Sequence, residues 1–170
     1  MKKEECRIKG VYLFDLNRLQ DERGNFCEVF RKEWIPDTFD RQIQMNLSHS
    51  ESGVLRGLHY HRNQSDFWIP VQGKITAGLA DIRKESSTYG VSLSLELDGS
   101  RPTGLLIPPG VAHGYAAHTD MTLIYVVNRY FDNTDEYGIA WNDPGFAIEW
   151  GLENPLLSER DINNAPFVRE

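Results

Sequence analysis

Gly53-Val54-Leu55-Arg56-Gly57-Leu58-His59-Tyr60-His61 is the stretch on which the reading of this chain turns. It reads as a buried β-strand that carries an arginine and two histidines. Side chains alternate between two faces along a strand, so Arg56 stands one residue out of phase with His59 and His61. Gly57 offers a bulge or a close backbone approach that re-aims them. Charged and titratable groups are costly on an otherwise apolar strand unless something compensates them. A ligand-filled cavity is such a compensation.

The sequence on either side is strand-like. Val91-Ser92-Leu93-Ser94-Leu95-Glu96-Leu97-Asp98 alternates apolar and polar residues without a fault, as does a strand with one face on a core. Further strands are predicted over Gly10–Leu13, Asn25–Phe30, Gln42–Leu47, Gly53–Tyr60, Phe67–Val71, Ile75–Asp81, Gly104–Ile107 and Thr122–Tyr130. Turn signals separate them at Gln72-Gly73, Asp98-Gly99, Pro108-Pro109-Gly110 and Asp143-Pro144-Gly145. Two short helices are predicted, one near Lys32–Asp40 interrupted by Pro36, the other beginning near Ser158. The expected fold is all-β, a jelly-roll barrel or sandwich with a few short helices, in a single domain over residues 1–170.

The composition narrows the function. The chain has 170 residues, 40% hydrophobic and 25% charged, enough apolar material for a core. Its net charge of −7 argues against a nucleic-acid partner, which calls for a basic face. A local cluster of Arg and His can still hold a phosphate inside an acidic protein. Cys6 and Cys27 have no metal-site spacing and read as reduced thiols. No apolar run has the length of a membrane span, and Met1-Lys2-Lys3-Glu4-Glu5 lacks the apolar segment of a signal peptide. A cytoplasmic protein is expected.

Several clusters carry chemistry. Asp21-Glu22-Arg23-Gly24-Asn25-Phe26, followed by Glu28, sets an arginine on a glycine turn, suited to fork onto a phosphate, beside a ring that can stack. Its plainer reading is a solvated turn. An unperturbed histidine titrates near neutrality, so His59 suits a general base, with Arg56 beside it for an anion; a single histidine is more commonly a satisfied core residue, and two beside an arginine bring the two readings about level. Ile107-Pro108-Pro109-Gly110-Val111-Ala112-His113-Gly114 delivers His113 to the start of a new strand, and Tyr125 and Tyr130 follow on the next apolar segment. Ser158 reads locally as a helix N-cap, with Asp161 three residues on in a variant capping box. A metal site competes: His59, His61, Asp66 and His113, with Gly53 before and Gly73 after, are similar in order to the two metal motifs of the cupin superfamily and suit iron, manganese, nickel or zinc. Asp66 stands where cupins more often carry glutamate, and Ala117 where the second motif ends in asparagine.

Taken together, the landmarks resemble the family of nucleotide-sugar 3,5-epimerases that act on dTDP-4-keto-6-deoxyglucose. They run in order through Asp21-Glu22-Arg23-Gly24, Gln44-Met45-Asn46, Val54-Leu55-Arg56-Gly57-Leu58-His59, Asp81-Ile82-Arg83-Lys84 with Ser87-Thr88-Tyr89-Gly90, Pro109-Gly110-Val111-Ala112-His113-Gly114, Trp141-Asn142-Asp143-Pro144 with Ile148-Glu149-Trp150, and Leu157-Ser158-Glu159-Arg160-Asp161. The resemblance implies a cupin-type jelly roll, a homodimer, and no metal or other cofactor. It implies that His59 removes the proton beside the 4-keto group, that Asp161 holds and polarises His59, and that Tyr125 returns a proton on the opposite face. Nucleotide-sugar binding would fall to Arg23, Phe26, Glu28, Gln44, Asn46, Arg56, Glu136 and Arg160, with His113 near the sugar or phosphate.

Two positions depart from the family pattern. Its lysine downstream of the histidine, which steadies the enolate, aligns with Asp66 in Gln64-Ser65-Asp66, and a family tyrosine aligns with Phe131. A carboxylate opposes an enolate by charge. A related 4-keto sugar, inversion at one carbon, or another nucleotide carrier are compatible with these changes. So are two other readings: a metal-dependent cupin isomerase or dioxygenase built on His59, His61, Asp66 and His113, and a non-catalytic sugar-nucleotide binder.

Overall fold

The computed structural model describes residues 1–35, 37–39 and 42–169. The strands are β1 (Lys2–Glu5), β2 (Tyr12–Asp15), β3 (Arg18–Asp21), β4 (Gly24–Cys27), β5 (Gln44–Ser50), β6 (Leu55–Tyr60) and β7 (Asp66–Gln72). They continue with β8 (Lys74–Asp81), β9 (Ser92–Asp98), β10 (Thr103–Ile107), β11 (Val111–Ala117), β12 (Met121–Val127) and β13 (Tyr137–Gly138), and a short helix α1 spans Glu159–Asn163. Two antiparallel sheets form, in the orders β1-β2-β10-β7-β12-β5 and β13-β6-β11-β8-β9, with β3-β4 a separate hairpin. This is the expected all-β jelly roll.

The two sheets face each other across one core. Trp68, Leu105, Ile107 and Leu123 from the first meet Ile75, Ala77, Leu79 and Tyr115 from the second. Both outer faces are covered too. Phe39 and Ile35 pack with Phe14, Phe67 and Val126 outside the first sheet. Ile139, Phe146 and Trp150 pack with Leu58, Ala80 and Ala112 outside the second. That double cover explains why every residue of β11 is buried, whereas β9 alternates at its sheet's edge. Gly78 makes room for the cover: a Cβ there would stand 2.5 Å from the Trp150 ring.

The family landmark at Asp81 is structural. Asp81 is fully buried and accepts hydrogen bonds from Arg83, Ser86 and Thr88. Burial alone would raise its pKa, but these donors outweigh it and hold the carboxyl at about 2.

Expectation and structure differ at the margins. The segment near Lys32 is one 3-10 turn, Lys32–Trp34; Pro36 and Asp40 lie outside the described residues. The strand expected to reach Tyr130 ends at Val127, and the one expected to reach Phe30 ends at Cys27. β1, Lys-Lys-Glu-Glu, was not expected: it has no apolar face and forms by main-chain pairing with β2 at a sheet edge.

Candidate active site

The deciding stretch becomes β6, with a bulge where Gly57 stands. β11 pairs His113 with His59 and Tyr115 with Arg56, so two residues of β6, Gly57 and Leu58, oppose the single Gly114. Gly57 has φ +138°, and a Cβ on it would lie 2.7 Å from the Gly114 Cα, so both the conformation and the close approach require glycine. The extra residue corrects the phase: Arg56, His59 and His61 all line one cleft of ≈ 490 Å³ between the sheets.

The C-terminal segment supplies the partner of His59. Leu156 bridges to Val54 in parallel, and its carbonyl accepts from the Leu55 N–H, 3.0 Å away. The chain then turns through Ser158, whose hydroxyl accepts the Asp161 N–H at 3.1 Å. Ser158 is therefore the N-cap, as the local reading had it. The Asp161 side chain is not spent on the cap; its Oδ1 lies 2.6 Å from His59 Nε2, and the residue is 3% exposed. Burial pushes its pKa up, but contact with His59, the Ser158 hydroxyl and the Gly57 N–H bring it below the usual carboxylate value. An ionised Asp161 can only accept, so the His59 Nε2 facing it carries its proton and Nδ1 is left as the ring's basic atom.

Tyr125 comes from the other wall. It sits on β12 in the first sheet, while His59 sits on β6 in the second, and both line the cleft. Burial, followed by the charge of Asp66, raises the phenol's pKa, so Tyr125 is a protonated donor at neutral pH. Gln44, Asn46, Ser48 and Glu136 also line the cleft. Arg56 is steadied through its Nε on the Ser50 hydroxyl (3.0 Å), which in turn meets the Tyr115 hydroxyl at 2.9 Å. Arg160 stands outside the lining and pairs with Glu136 at 2.7 Å.

Arg23, Phe26 and Glu28 are not brought to this cleft. They lie on or beside the β3-β4 hairpin, where Phe26 is 64% exposed, Arg23 forks onto Asp21, and Glu28 pairs with Arg31. The four-residue metal set is also divided. His61, Asp66 and His113 present ligand atoms within 4.8 Å of one another, while His59 is turned to Asp161. Burial lowers the His113 pKa to about 4, only partly opposed by Asp66, so the ring is neutral.

Several cleft residues were missed by sequence reasoning: Ser48, Trp68, Tyr115 and Asp132 line it. β5 carried the available signal. Its residues 44, 46 and 48 are polar, and the structure turns that polar face inward while Met45 and Leu47 face out. Trp68 and Tyr115 gave none, since their sequence is that of ordinary core strands.

Comparison with known proteins agrees with this geometry. Residues 5–169 match the family described as dTDP-4-dehydrorhamnose 3,5-epimerase. A protein of that description from Shigella flexneri is 36% identical, over 96% of this chain and 94% of its own. A dTDP-4-dehydrorhamnose 3-epimerase from Streptomyces niveus is 32% identical, over 91% of this chain and 78% of its own. A solved 3,5-epimerase from Legionella pneumophila, in complex with dTDP-4-keto-L-rhamnose, superposes with a TM-score of 0.90 at 31% identity, covering 97% of this chain and 92% of that one. With a bulged β6 and a His59–Asp161 pair inside a double-covered jelly roll, the chain belongs to the dTDP-4-dehydrorhamnose 3,5-epimerase family.

Proposed function

We propose that this chain inverts C3, C5 or both in a dTDP-4-keto-6-deoxy sugar, with His59 as base, Asp161 as its positioning partner and Tyr125 as acid. The observation that carries the reading is that base and acid stand on opposing sheets, with the cleft between them. Inversion through an enolate demands this, because the proton leaves one face of the ring and returns to the other. Nδ1 of His59 takes the proton from the carbon beside the ketone, and the C–H electron pair passes to the ketone oxygen. Asp161 then faces the imidazolium. Tyr125 gives its proton to the opposite face of the same carbon, and exchange with solvent resets both groups. Arg56 is the guanidinium in the cleft for the diphosphate, and Gln44 and Asn46 offer amides to the substrate. In D2O, a dTDP-4-keto-6-deoxy sugar should gain deuterium at C3, at C5 or at both. Absence of incorporation with several nucleotide carriers would overturn the assignment.

A homodimer accompanies this reading. β5 is a sheet edge, and its outward residues Met45 and Leu47 are each 68% exposed. The separate β3-β4 hairpin exposes Leu19 at 65% and Phe26 at 64%. Such apolar edges call for cover. In a dimer the hairpin can carry Arg23, Phe26 and Glu28 to the partner's cleft, which reconciles their expected nucleotide role with their distance from their own. Sedimentation should give twice the 19.5 kDa chain mass, and a monomer with full activity would remove this step. A cytoplasmic setting fits the free thiols of Cys6 and Cys27.

A further inference from the structure

We propose that His61, Asp66 and His113 form a divalent transition-metal site beside the His59–Asp161 pair, and that its ion takes the charge of the enolate oxygen. The metal role rests on the epimerase reading above; the site itself rests on its geometry. Ligand atoms from the three side chains lie within 4.8 Å of one another. Asp66 Oδ2 and His113 Nε2 are 3.7 Å apart. Metal bonds of about 2.1 Å require each donor to move inward by no more than about 1 Å.

The surroundings are arranged as a ligand shell is. Nδ1 of His61 lies 2.6 Å from the Asp135 carbonyl, and Nδ1 of His113 lies 2.9 Å from the Val111 carbonyl. A carbonyl only accepts, so both rings carry their proton on Nδ1 and present the Nε2 lone pair, as metal-binding histidines do. Asp66 is 4% exposed and is oriented by Gln64 Nε2 at 2.9 Å and Trp68 Nε1 at 3.2 Å. Its acceptor capacity exceeds these two bonds. Two imidazoles and one carboxylate, with open positions toward the cleft, suit manganese, iron, cobalt, nickel or zinc over magnesium or calcium.

Charge points the same way. Among the described residues lining the cleft, Arg56 is the one Arg or Lys, against the carboxylates Asp66, Asp132 and Glu136. Glu136 is offset by Arg160. With Arg56 engaged on the diphosphate, the remaining carboxylates oppose an enolate, whereas a divalent ion on Asp66 reverses that balance. As His59 takes the proton and the C–H pair moves to the ketone oxygen, that oxygen becomes anionic. A metal in reach of it supplies Lewis-acid stabilisation without a further proton donor.

The test separates site from reaction. Untagged protein, stripped with a chelator, is titrated calorimetrically with Zn2+ and with Mn2+, and deuterium wash-in is followed in parallel. The expected result is one equivalent per chain, weakened at least about tenfold in His61→Ala and in Asp66→Asn, and unchanged in His49→Ala, whose ring lies outside the cleft on β5. His61 is only half-buried, so its replacement leaves a folded protein even if Asp66→Asn does not. Wash-in should fall in the stripped enzyme and return with metal. No saturable binding, or binding indifferent to His61→Ala, overturns the site. Stoichiometric binding with wash-in unaffected by stripping overturns the catalytic role of the ion. Binding without any wash-in, metal present, keeps the site and removes the epimerase reading instead.

Discussion

His59→Asn should lower solvent deuterium wash-in into a dTDP-4-keto sugar by about a thousandfold, with the protein still folded. A positioned acid–base group contributes about 10²–10⁴ in rate, and asparagine offers no basic nitrogen in place of Nδ1. The fold should survive because the His59 side chain is 25% exposed and belongs to no core cluster. Asp161 loses one partner but keeps the Ser158 hydroxyl and the Gly57 N–H, so the loss of stability should stay within about 1–3 kcal/mol. Asp161→Asn checks the pair from the other side. Its backbone N–H, not its side chain, makes the bond to Ser158, so the helix cap outlasts the substitution. Wash-in should fall at least about tenfold while the unfolding midpoint shifts little. Wash-in within twofold of the parent for both variants would show that proton removal is performed elsewhere.

How far the site could be read in advance follows from which residues announce themselves. Arg56, His59 and His61 were legible because a strand among apolar neighbours had no other use for them. The bulge that unites them was foreshadowed by Gly57. Asp161 was not legible from its surroundings, since Ser158 and Asp161 at that spacing read as a capping box, and the cap does form. What no local rule supplies is the Val54–Leu156 bridge, a contact over about a hundred residues that lays this helix against β6. β5 could be read two ways. Met45 and Leu47 alternate with Gln44, Asn46 and Ser48, and burial rules alone would turn the apolar pair inward. The structure does the reverse, because a polar cleft lies inside and a sheet edge suited to a partner outside. The covered faces of β8 and β11 depend on the remote Phe146 and Trp150, so their full burial was equally hidden. In each case the sequence named the strand, and distant chain decided which face it presents.

Tyr125→Phe should divide the reaction. The substitution removes one hydroxyl from a half-buried ring and leaves the His59–Asp161 pair untouched. Burial and the nearby Asp66 raise the phenol's pKa, which makes the phenolate costly and keeps the proton available for donation. Without that hydroxyl, His59 still removes a proton and still returns one to the face it came from. Exchange with solvent should therefore persist within about tenfold of the parent rate. Inverted product should fall about 10²–10³-fold, since the opposite face has lost its donor. One NMR experiment in D2O reads both quantities: deuterium at C3 and C5 of recovered substrate, and the coupling pattern of the inverted sugar. Retained exchange with lost inversion assigns the two faces to the two sheets. If inversion keeps pace with exchange in Tyr125→Phe, the returning proton comes from another group, and the opposition of β6 and β12 across the cleft is not what sets the stereochemistry.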